Sequence, residues 1–381
     1  MNNHYLHLFI YLEDKSSDKY FGIKKQLSRF NGIEPDEPRH FLKDIRFSVK
    51  SQEIFNKVEY SSRKLFREFF YKKVFKDLEK KIISTIKKNN KDYSIIIYTQ
   101  DEGVWSEFLR FLIKKYQLNN ITFVNVQHGF LLNYNIPKDN FFRTRIIKFI
   151  NYIYTSILGF PKFGIGPFSG PFDYYLLFHK ELYKNVISHA KAIACPNLIN
   201  RFFIDNFLKT EKEKYEKNSV LIALPYFISA GSTKFETLNF EKTMISIKKM
   251  IKGIKNNFDF KIYLRRHPNM DRKEFFHMIK KIDIYEDIIE DKLSIEKSIY
   301  RSPIVFSFFS TALFEAKLVN RLPIVMTDNS KFDSKLFPIK YESIDLTKNI
   351  KKQFEHILTM NTNFNDYKNE INFKDIFKKN I

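Results

Sequence analysis

Short apolar runs alternate with longer amphipathic stretches along most of the chain. In the first half the apolar runs predict four strands, Tyr5–Leu12, Ser94–Thr99, Ile121–Val126 and Tyr174–Phe178. In the second half they predict four more, Val220–Leu224, Lys261–Leu264, Pro303–Phe308 and Pro323–Thr327. Helical spacing of apolar residues predicts helices over 61–89, 104–117, 140–158, 180–190, 238–256, 271–281, 310–319 and 349–359. This alternation predicts an α/β protein whose parallel sheets are covered on both faces.

A charged segment with few apolar residues, Lys209–Asn218, lies near the middle of the chain. With 381 residues, the chain is longer than one hydrophobic core usually serves. We therefore predict two Rossmann-like domains, residues 1–212 and 213–381, whose parallel sheets face a central cleft. Ligands bind beyond the carboxyl ends of the strands in such sheets, so we expect the chemistry in the loops that follow strands.

Composition narrows the class of protein. Hydrophobic residues make up 44% of the chain and aromatic residues 17%, which excludes a mostly disordered chain. The net charge of +22 favours an anionic partner such as nucleic acid, acidic lipid or an acidic glycan, although lysines on a solvated surface can account for part of it. Cys195 is the single cysteine, and the sequence shows neither a secretory signal nor an apolar run of membrane-spanning length. We therefore expect a cytoplasmic protein.

The first candidate loop contains Asp101, Glu102 and Gly103, between a predicted strand and a predicted helix. Adjacent carboxylates can provide a general base, because like charge or partial burial raises the pKa of one of them towards neutrality. Gly103 permits a tight turn and a close approach of substrate. The alternative is that Asp101 only caps the next helix.

The second candidate loop contains Gln127, His128 and Gly129, at the end of the strand Ile121–Val126. An imidazole at this position can take a proton from a hydroxyl group or bind a phosphate. The alternative is a structural histidine. The acidic loop is predicted at the same edge of the sheet, which favours the functional interpretation.

The third candidate loop is Arg265, Arg266, His267 and Pro268, which follows a predicted strand. Two guanidinium groups and an imidazole concentrate positive charge, and the proline fixes the backbone behind them. The pattern predicts a site that binds a phosphate and stabilises charge on a leaving group. The alternative is a surface strand end with incidental arginines.

The fourth candidate loop contains Ser307, Ser310 and Thr311, where a strand passes into an apolar helix. The first amides and hydroxyl groups of such a helix can hold a phosphate at the positive end of the helix dipole. Glu315, one turn into the helix, can accept hydrogen bonds from ribose hydroxyl groups. The alternative for Ser310 is a helix cap without a ligand.

Two helical segments combine apolar and basic residues. Asn140–Leu158 has an apolar face flanked by arginine and lysine, a pattern that fits either an interfacial helix or a core-facing helix. The basic and aromatic helix that starts near Ser61 adds positive charge that anionic lipid would attract. Membrane contact is therefore one of two interpretations of Asn140–Leu158, and the helix near Ser61 would add electrostatic attraction to it.

In combination, the acidic pair before Gly103, the His267–Pro268 pair and the Ser310–Thr311 pair resemble the motifs of bacterial sialyltransferases and polysialyltransferases. The resemblance implies a GT-B fold and an inverting glycosyltransferase of capsule or surface glycan synthesis. Its donor would be a CMP-activated nonulosonic acid of the sialic, pseudaminic or legionaminic type. By the same resemblance, Asp101 or Glu102 is the general base, His267 stabilises the leaving group, and Ser310 and Thr311 hold its phosphate.

The Gln-His-Gly segment departs from the best-known sialyltransferase pattern. It is similar to sequences in capsule glycosyltransferases and in CDP-glycerol glycerophosphotransferases. This similarity leaves His128 open as the base and a CDP-alditol or CMP-Kdo open as the donor.

The implied reaction also sets the expected partners. A CMP-linked donor leaves with a single phosphate, so we expect no cofactor and no metal, and the sequence lacks an evident Asp-x-Asp motif at a strand end. The expected partners are a nucleotide sugar, a glycan acceptor and an anionic membrane surface, with the protein peripheral at the inner membrane. Nucleic-acid binding is a remote alternative, because the aromatic residues are spread through apolar helices rather than along a basic face.

Overall fold

The computed structural model confirms an α/β architecture with two parallel sheets of six strands each. It describes residues 4–12, 17–29, 39–47, 64–89, 93–100, 112–113, 115–118, 121–127, 172–185, 190–210, 215–224, 240–267, 270–308, 310–327 and 341–360. Of these, the residues up to Phe202 belong to one compact unit and those from Phe203 to another.

The first sheet has the strand order β2-β1-β3-β4-β5-β6, and all its neighbours are parallel. Its strands are β1 Tyr5–Leu12, β2 His40–Phe47, β3 Ser94–Gln100, β4 Ile121–Val126, β5 Tyr174–Leu177 and β6 Lys191–Ala194. The helices of this unit are α1 Ser17–Arg29, α2 Lys64–Asn89 and α3 Pro196–Ile199, with a 3-10 helix over Lys180–Asn185. The chain moves outward from β1 to β2 and then returns to β3, so the order reverses between β1 and β3.

The second sheet has the strand order β12-β11-β10-β7-β8-β9, again with parallel neighbours. Its strands are β7 Ser219–Ala223, β8 Lys261–Arg265, β9 Ile289–Glu290, β10 Ile304–Ser307, β11 Leu322–Thr327 and β12 Glu342–Asp345. The helices are α4 Arg201–Lys209, α5 Phe240–Lys255, α6 Arg272–Lys281, α7 Ile295–Arg301, α8 Thr311–Leu318 and α9 Ile350–Leu358. Read from the other edge, this is the strand order of dinucleotide-binding Rossmann domains, in which the order reverses between the first and fourth strands, here β7 and β10.

Both faces of the second sheet are buried. Side chains alternate between the faces of a strand, so Val220 and Ile222 of β7 join the core formed with α5, α6 and α9. Leu221 and Ala223 of the same strand join the opposite core, which α4, α7 and α8 complete. This two-sided burial explains why the central strands have continuous apolar sequences.

The predicted strands and helices are largely confirmed. All eight predicted strands are present, each with ends within one residue of the prediction. Residues 180–190 were predicted to be helical, and the structure forms a 3-10 helix over Lys180–Asn185 there. The predicted helix over 140–158 lies outside the described residues, as does most of the one over 104–117.

The structure also bears on membrane insertion. None of the helices in the described parts of the chain has both the length and the apolar character needed to cross a bilayer.

A row of three polar side chains crosses the core of the first sheet. His7 on β1 and Tyr98 on β3 are fully buried, and His40 at the start of β2 is nearly so. His7 Nε2 lies 2.9 Å from His40 Nδ1, and His7 Nδ1 lies 3.0 Å from Tyr98 Oη. Burial, with repulsion from His40 as the second cause, lowers the pKa of His7 well below its ordinary value. His7 is therefore neutral in the folded protein at neutral pH.

This row predicts a loss of stability in mild acid. Unfolding returns His7 to water, where its pKa is near 6.5, so below that pH the unfolded chain binds protons more strongly than the folded chain. The contribution of neutral His7 to the free energy of unfolding is therefore fully present above about pH 6.5 and is lost as the pH falls below that value. Between about pH 7 and 5, we expect the free energy of unfolding to fall more steeply in the wild type than in His7→Gln, by up to about 1.4 kcal/mol per pH unit.

Chemical denaturation at a series of pH values measures this difference. His277→Gln, on an exposed position of α6, is the matched control and should retain the wild-type pH dependence. The same slope in the wild type and in His7→Gln would contradict the prediction.

Candidate functional site

The reversal of strand order in the second sheet lies between β7 and β10, which are hydrogen-bonded neighbours. The chain leaves these two strands in opposite directions, and this opens a crevice beyond their carboxyl ends. The loop after β10 leads directly into α8 at this point. The third candidate loop follows β8, which is the neighbour of β7 on the other side.

Ser307, the last residue of β10, closes the base of this crevice. Its side chain is fully buried, and its hydroxyl group donates a hydrogen bond of 2.6 Å to the carbonyl oxygen of Ala223 at the end of β7. The contact ties together the two strands between which the order reverses. It places Ser307 inside the sheet, and the predicted contact of Ser307 with a phosphate stays a prediction.

Ser310 caps the helix α8. Its backbone is extended, and its Oγ accepts a hydrogen bond of 3.2 Å from the amide of Ala312, in the first turn of the helix. This contact uses a lone pair of the oxygen and leaves the hydroxyl proton available as a donor. The cap and the predicted phosphate contact are therefore chemically compatible. Thr311 is the first residue of α8, and Glu315 is buried one turn further along.

The turn after β8 is held by Arg266. Its Nη1 donates to the carbonyl oxygen of Met270 at 2.7 Å and lies 3.5 Å from that of His267. The amide of Met270 in turn donates to the carbonyl oxygen of His267 at 2.9 Å. His267 is half-buried at the end of β8. The structure therefore places His267 in a turn braced by its neighbour, and Pro268 lies outside the described residues.

Arg265 takes part in a buried ionic network. Its Nη1 lies 3.0 Å from Oδ2 of Asp291, a fully buried carboxylate directly after β9. The other carboxylate oxygen of Asp291 accepts from Nη2 of Arg301 at 2.9 Å, and Ser298 donates its hydroxyl proton to Oδ2. Arg265 Nη1 also donates to the carbonyl oxygen of Leu293. The contacts described for the Arg265 guanidinium are thus with the protein itself, and its predicted contact with a phosphate stays a prediction.

The same network continues along one face of β8 towards the start of the strand. The guanidinium of Arg301 lies 3.3 Å from the ring centre of Tyr263, and Tyr263 donates to a Glu216 oxygen that also faces Lys261. Burial, then the hydrogen bond to Glu216, raises the pKa of Tyr263 to about 12. For Glu216, burial favours a higher pKa, but the contacts with Tyr263 and Lys261 outweigh it and lower the pKa. The amino-acid pattern gives no sign of this network, because Asp291 follows a strand of only two residues.

The first sheet brings the anchor points of two candidate loops together. β3 ends at Gln100 and β4 at Val126, and these two residues are paired in the parallel register. Gln127 follows in the described chain; it is buried, and its Oε1 accepts a hydrogen bond of 2.9 Å from the amide of Phe178, beyond the end of β5. Gln127 therefore links the ends of two strands.

The remaining candidates of the first half lie outside the described residues. They are Asp101, Glu102, Gly103, His128 and Gly129. Their predicted roles, and the predicted meeting of the acidic loop with the basic loop across a cleft, stay predictions.

Comparison with solved structures gives the class of fold. The chain is similar to the UDP-GlcNAc 2-epimerase from Methanocaldococcus jannaschii, with a TM-score of 0.54, 13% identity, and coverage of 98% of this chain and 99% of that one. It is similar to the UDP-GlcNAc 2-epimerase from Neisseria meningitidis bound to UDP-GlcNAc, with a TM-score of 0.53, 11% identity, and coverage of 98% and 99%. It is also similar to S. aureus MnaA in complex with UDP, with a TM-score of 0.50, 11% identity, and coverage of 93% and 88%.

These neighbours and the two six-stranded parallel sheets define a GT-B fold built from two Rossmann-like domains. At 11–13% identity the likeness is one of fold. Neither the scan against protein-family models nor the search of curated proteins found a match.

The buried network predicts a large effect of a small change. Asp291→Asn removes the fully buried negative charge between Arg265 and Arg301 and leaves these two partly buried cations without their counter-ion. We expect the free energy of unfolding to fall by about 3 kcal/mol or more. Denaturant unfolding, followed by circular dichroism, measures the change.

Asp283→Asn is the matched control. The side chain of Asp283 is 86% exposed and lies 3.7 Å from Lys248, so its loss should cost less than about 0.5 kcal/mol. Similar small losses in both variants would show that the Asp291 network adds little to stability.

Proposed function

We propose that the chain is a glycosyltransferase that transfers a sugar from a nucleotide-activated donor to a glycan acceptor. One observation carries the proposal: the second Rossmann-like domain presents the capped start of α8 at the point where its strand order reverses. Helix amides at such a point are a suitable site for a nucleotide phosphate. His267 follows β8, the next strand but one, and can add positive charge when protonated.

The donor that we propose is a CMP-activated nonulosonic acid. The resemblance of the acidic, His-Pro and Ser-Thr motifs to bacterial sialyltransferases supports it. The positions of Ser310 and His267, beyond the carboxyl ends of two strands of one domain, are compatible with it. A single leaving phosphate needs a few donors and no bridging metal, so the proposed reaction requires no cofactor.

The proposed chemistry is a direct displacement at the anomeric carbon. The acceptor hydroxyl oxygen forms the new bond to that carbon while the bond between carbon and phosphate oxygen breaks. CMP leaves with the electron pair, and the amides at the start of α8, the Ser310 hydroxyl group and His267 stabilise its negative charge. The hydroxyl proton passes to Asp101 or Glu102, or alternatively to His128.

The neighbours of known fold support a nucleotide sugar as ligand in general terms. One of those enzymes is bound to UDP-GlcNAc and another to UDP. The donor proposed for this chain differs from UDP-GlcNAc in its nucleobase and in its sugar. The Gln127–His128–Gly129 segment favours a second candidate, transfer of an alditol phosphate from a CDP-alditol to a surface polymer with release of CMP, and CMP-Kdo is a third donor to test.

The nucleotide base is the first property to test. A nucleotide that binds only the folded state raises the free energy of unfolding by about 2.7 kcal/mol at a concentration of about 100 times its Kd. We expect thermal unfolding to shift upward with CMP, more than with CDP, UDP or GDP. Stabilisation by UDP alone would contradict a cytidine donor. A larger shift with CDP, together with turnover of CDP-glycerol, would favour the second candidate.

The predicted contact of Ser310 with a phosphate can be tested separately from its function as the cap of α8. Ser310→Asp keeps a good helix cap, so the stability of the ligand-free protein should be retained, but the new negative charge repels a phosphate at this position. We expect this variant to lose stabilisation by CMP. Asn349→Asp is the matched control, because Asn349 caps α9 in the same manner, by accepting from the amide of Lys352 at 3.1 Å. Equal CMP binding by both variants would show that the start of α8 does not bind the phosphate.

The role of His267 is tested by turnover. We expect His267→Ala to lower kcat for CMP-sugar transfer by about a hundredfold, since it removes one stabilising group for the leaving phosphate. His277→Ala, on the exposed face of the helix that follows, is the control and should retain activity. Unimpaired turnover in His267→Ala would end the proposed role of this residue.

A further inference from the structure

The helix α2 concentrates a large share of the positive charge of the protein. Its 26 residues contain nine lysines or arginines and three acidic residues, a net charge of +6 out of +22 for the chain. The helix lies in the first unit, outside the loops assigned to the reaction.

The second half of α2 has one buried face and one lysine face. Within residues 76–89, the buried side chains are Leu78, Ile82, Ile83, Thr85 and Ile86. The exposed side chains described are Ser84 and five lysines: Lys76, Lys80, Lys81, Lys87 and Lys88. At 1.5 Å per residue, the lysines extend over roughly 18 Å of the helix. We call these five residues the lysine face.

One carboxylate of the same helix is already engaged by residues outside the lysine face. The Oε1 atom of Glu79 accepts hydrogen bonds from Lys115 and Tyr116. Among the residues that the structure describes, no carboxylate forms an ion pair with Lys76, Lys80 or Lys88, while the side chain of Asp77 lies outside that set. In the second unit, by contrast, Lys252 lies 2.7 Å from Asp287.

An exposed aromatic ring adjoins the carboxyl end of the same helix. Phe41 on the edge strand β2 is 41% exposed, and its ring meets that of Tyr93, four residues beyond the end of α2, at 5.1 Å between centroids. Aromatic rings beside cationic residues suit the boundary between lipid headgroups and acyl chains.

We propose that the lysine face of α2 docks on the anionic headgroups of a membrane leaflet. Lysine is a flexible point charge, which suits the diffuse negative potential of acidic lipid, and about 1 kcal/mol is gained for each basic residue near such a surface. A nucleic-acid partner is less favoured, because the exposed cations among the described side chains of α2 are all lysines, and none of its described side chains is an aromatic ring on which a base could stack. The inference does not depend on the proposed reaction.

Vesicle co-sedimentation tests the docking face. We expect the full chain to bind vesicles that contain phosphatidylglycerol, not vesicles of phosphatidylcholine alone, and to dissociate at about 1 M salt, where the Debye length is about 3 Å. The quadruple variant Lys76→Gln, Lys80→Gln, Lys87→Gln and Lys88→Gln should bind phosphatidylglycerol vesicles at least about a hundredfold more weakly, from roughly fivefold per lysine.

The matched control removes the same charge elsewhere. It carries Lys249→Gln, Lys255→Gln, Lys280→Gln and Lys352→Gln, all at exposed positions on helices of the second unit. We expect it to bind vesicles nearly as the wild type does. An equal loss in both variants would show that net charge, rather than this face, is responsible, and would overturn the proposal.

Two further outcomes would also overturn it. One is a wild-type protein that does not bind phosphatidylglycerol vesicles. The other is tight, salt-sensitive binding of a single-stranded oligonucleotide that only the α2 variant loses, with no vesicle binding. CMP stabilisation, measured on both variants, reports folding and the proposed reaction site separately from membrane docking.

Discussion

The arrangement of this protein depends on the burial of both faces of each parallel sheet. A strand such as β7 supplies Val220 and Ile222 to one helical layer and Leu221 and Ala223 to the other, while its backbone pairs with β8 and β10. Successive crossover helices add strands to one side of the first strand. To add strands on its other side, the chain must cross back once, and the strand order reverses there. This reversal creates a crevice beyond the carboxyl ends of the two strands that flank it, independently of the sequence of the loops.

In the second domain, the residues at that crevice stabilise the fold before any ligand binds. Ser307 donates to the carbonyl oxygen of Ala223 and so ties β10 to β7. Ser310 orders the first turn of α8 through an oxygen lone pair, and its proton remains available for an anion. Donors that the fold already holds in place need little reorganisation when charge develops on a leaving group, which is the condition for effective electrostatic stabilisation.

The sequence predicted the centre of each sheet and missed its edges. The eight strands that it predicted are the inner strands, whereas the four that it missed, β2, β6, β9 and β12, are the outermost strands of the two sheets. Inner strands are apolar throughout because both faces are buried, and that gives a clear pattern. An edge strand such as β2 carries Lys43, Asp44 and Arg46 among its apolar residues, since part of it faces water, and charges of this kind discourage pairing with another chain. Its polarity therefore removed the signal on which the prediction depended.

For the candidate site, the sequence located the charged groups but did not reveal what they contact. Arg265, Arg266 and His267 form one cationic run, yet the described guanidinium contacts are with Asp291 and Leu293 for Arg265, and with the turn at Met270 for Arg266. Asp291 lies 26 residues further along the chain, so only the folded sheet brings this carboxylate to Arg265. The residue type gives the charge of a side chain. Whether that charge stabilises the fold or binds a ligand depends on which hydrogen-bond acceptors the folded chain places next to it. Both arginine contacts brace the end of β8, and through it they fix where His267 stands at the edge of the sheet.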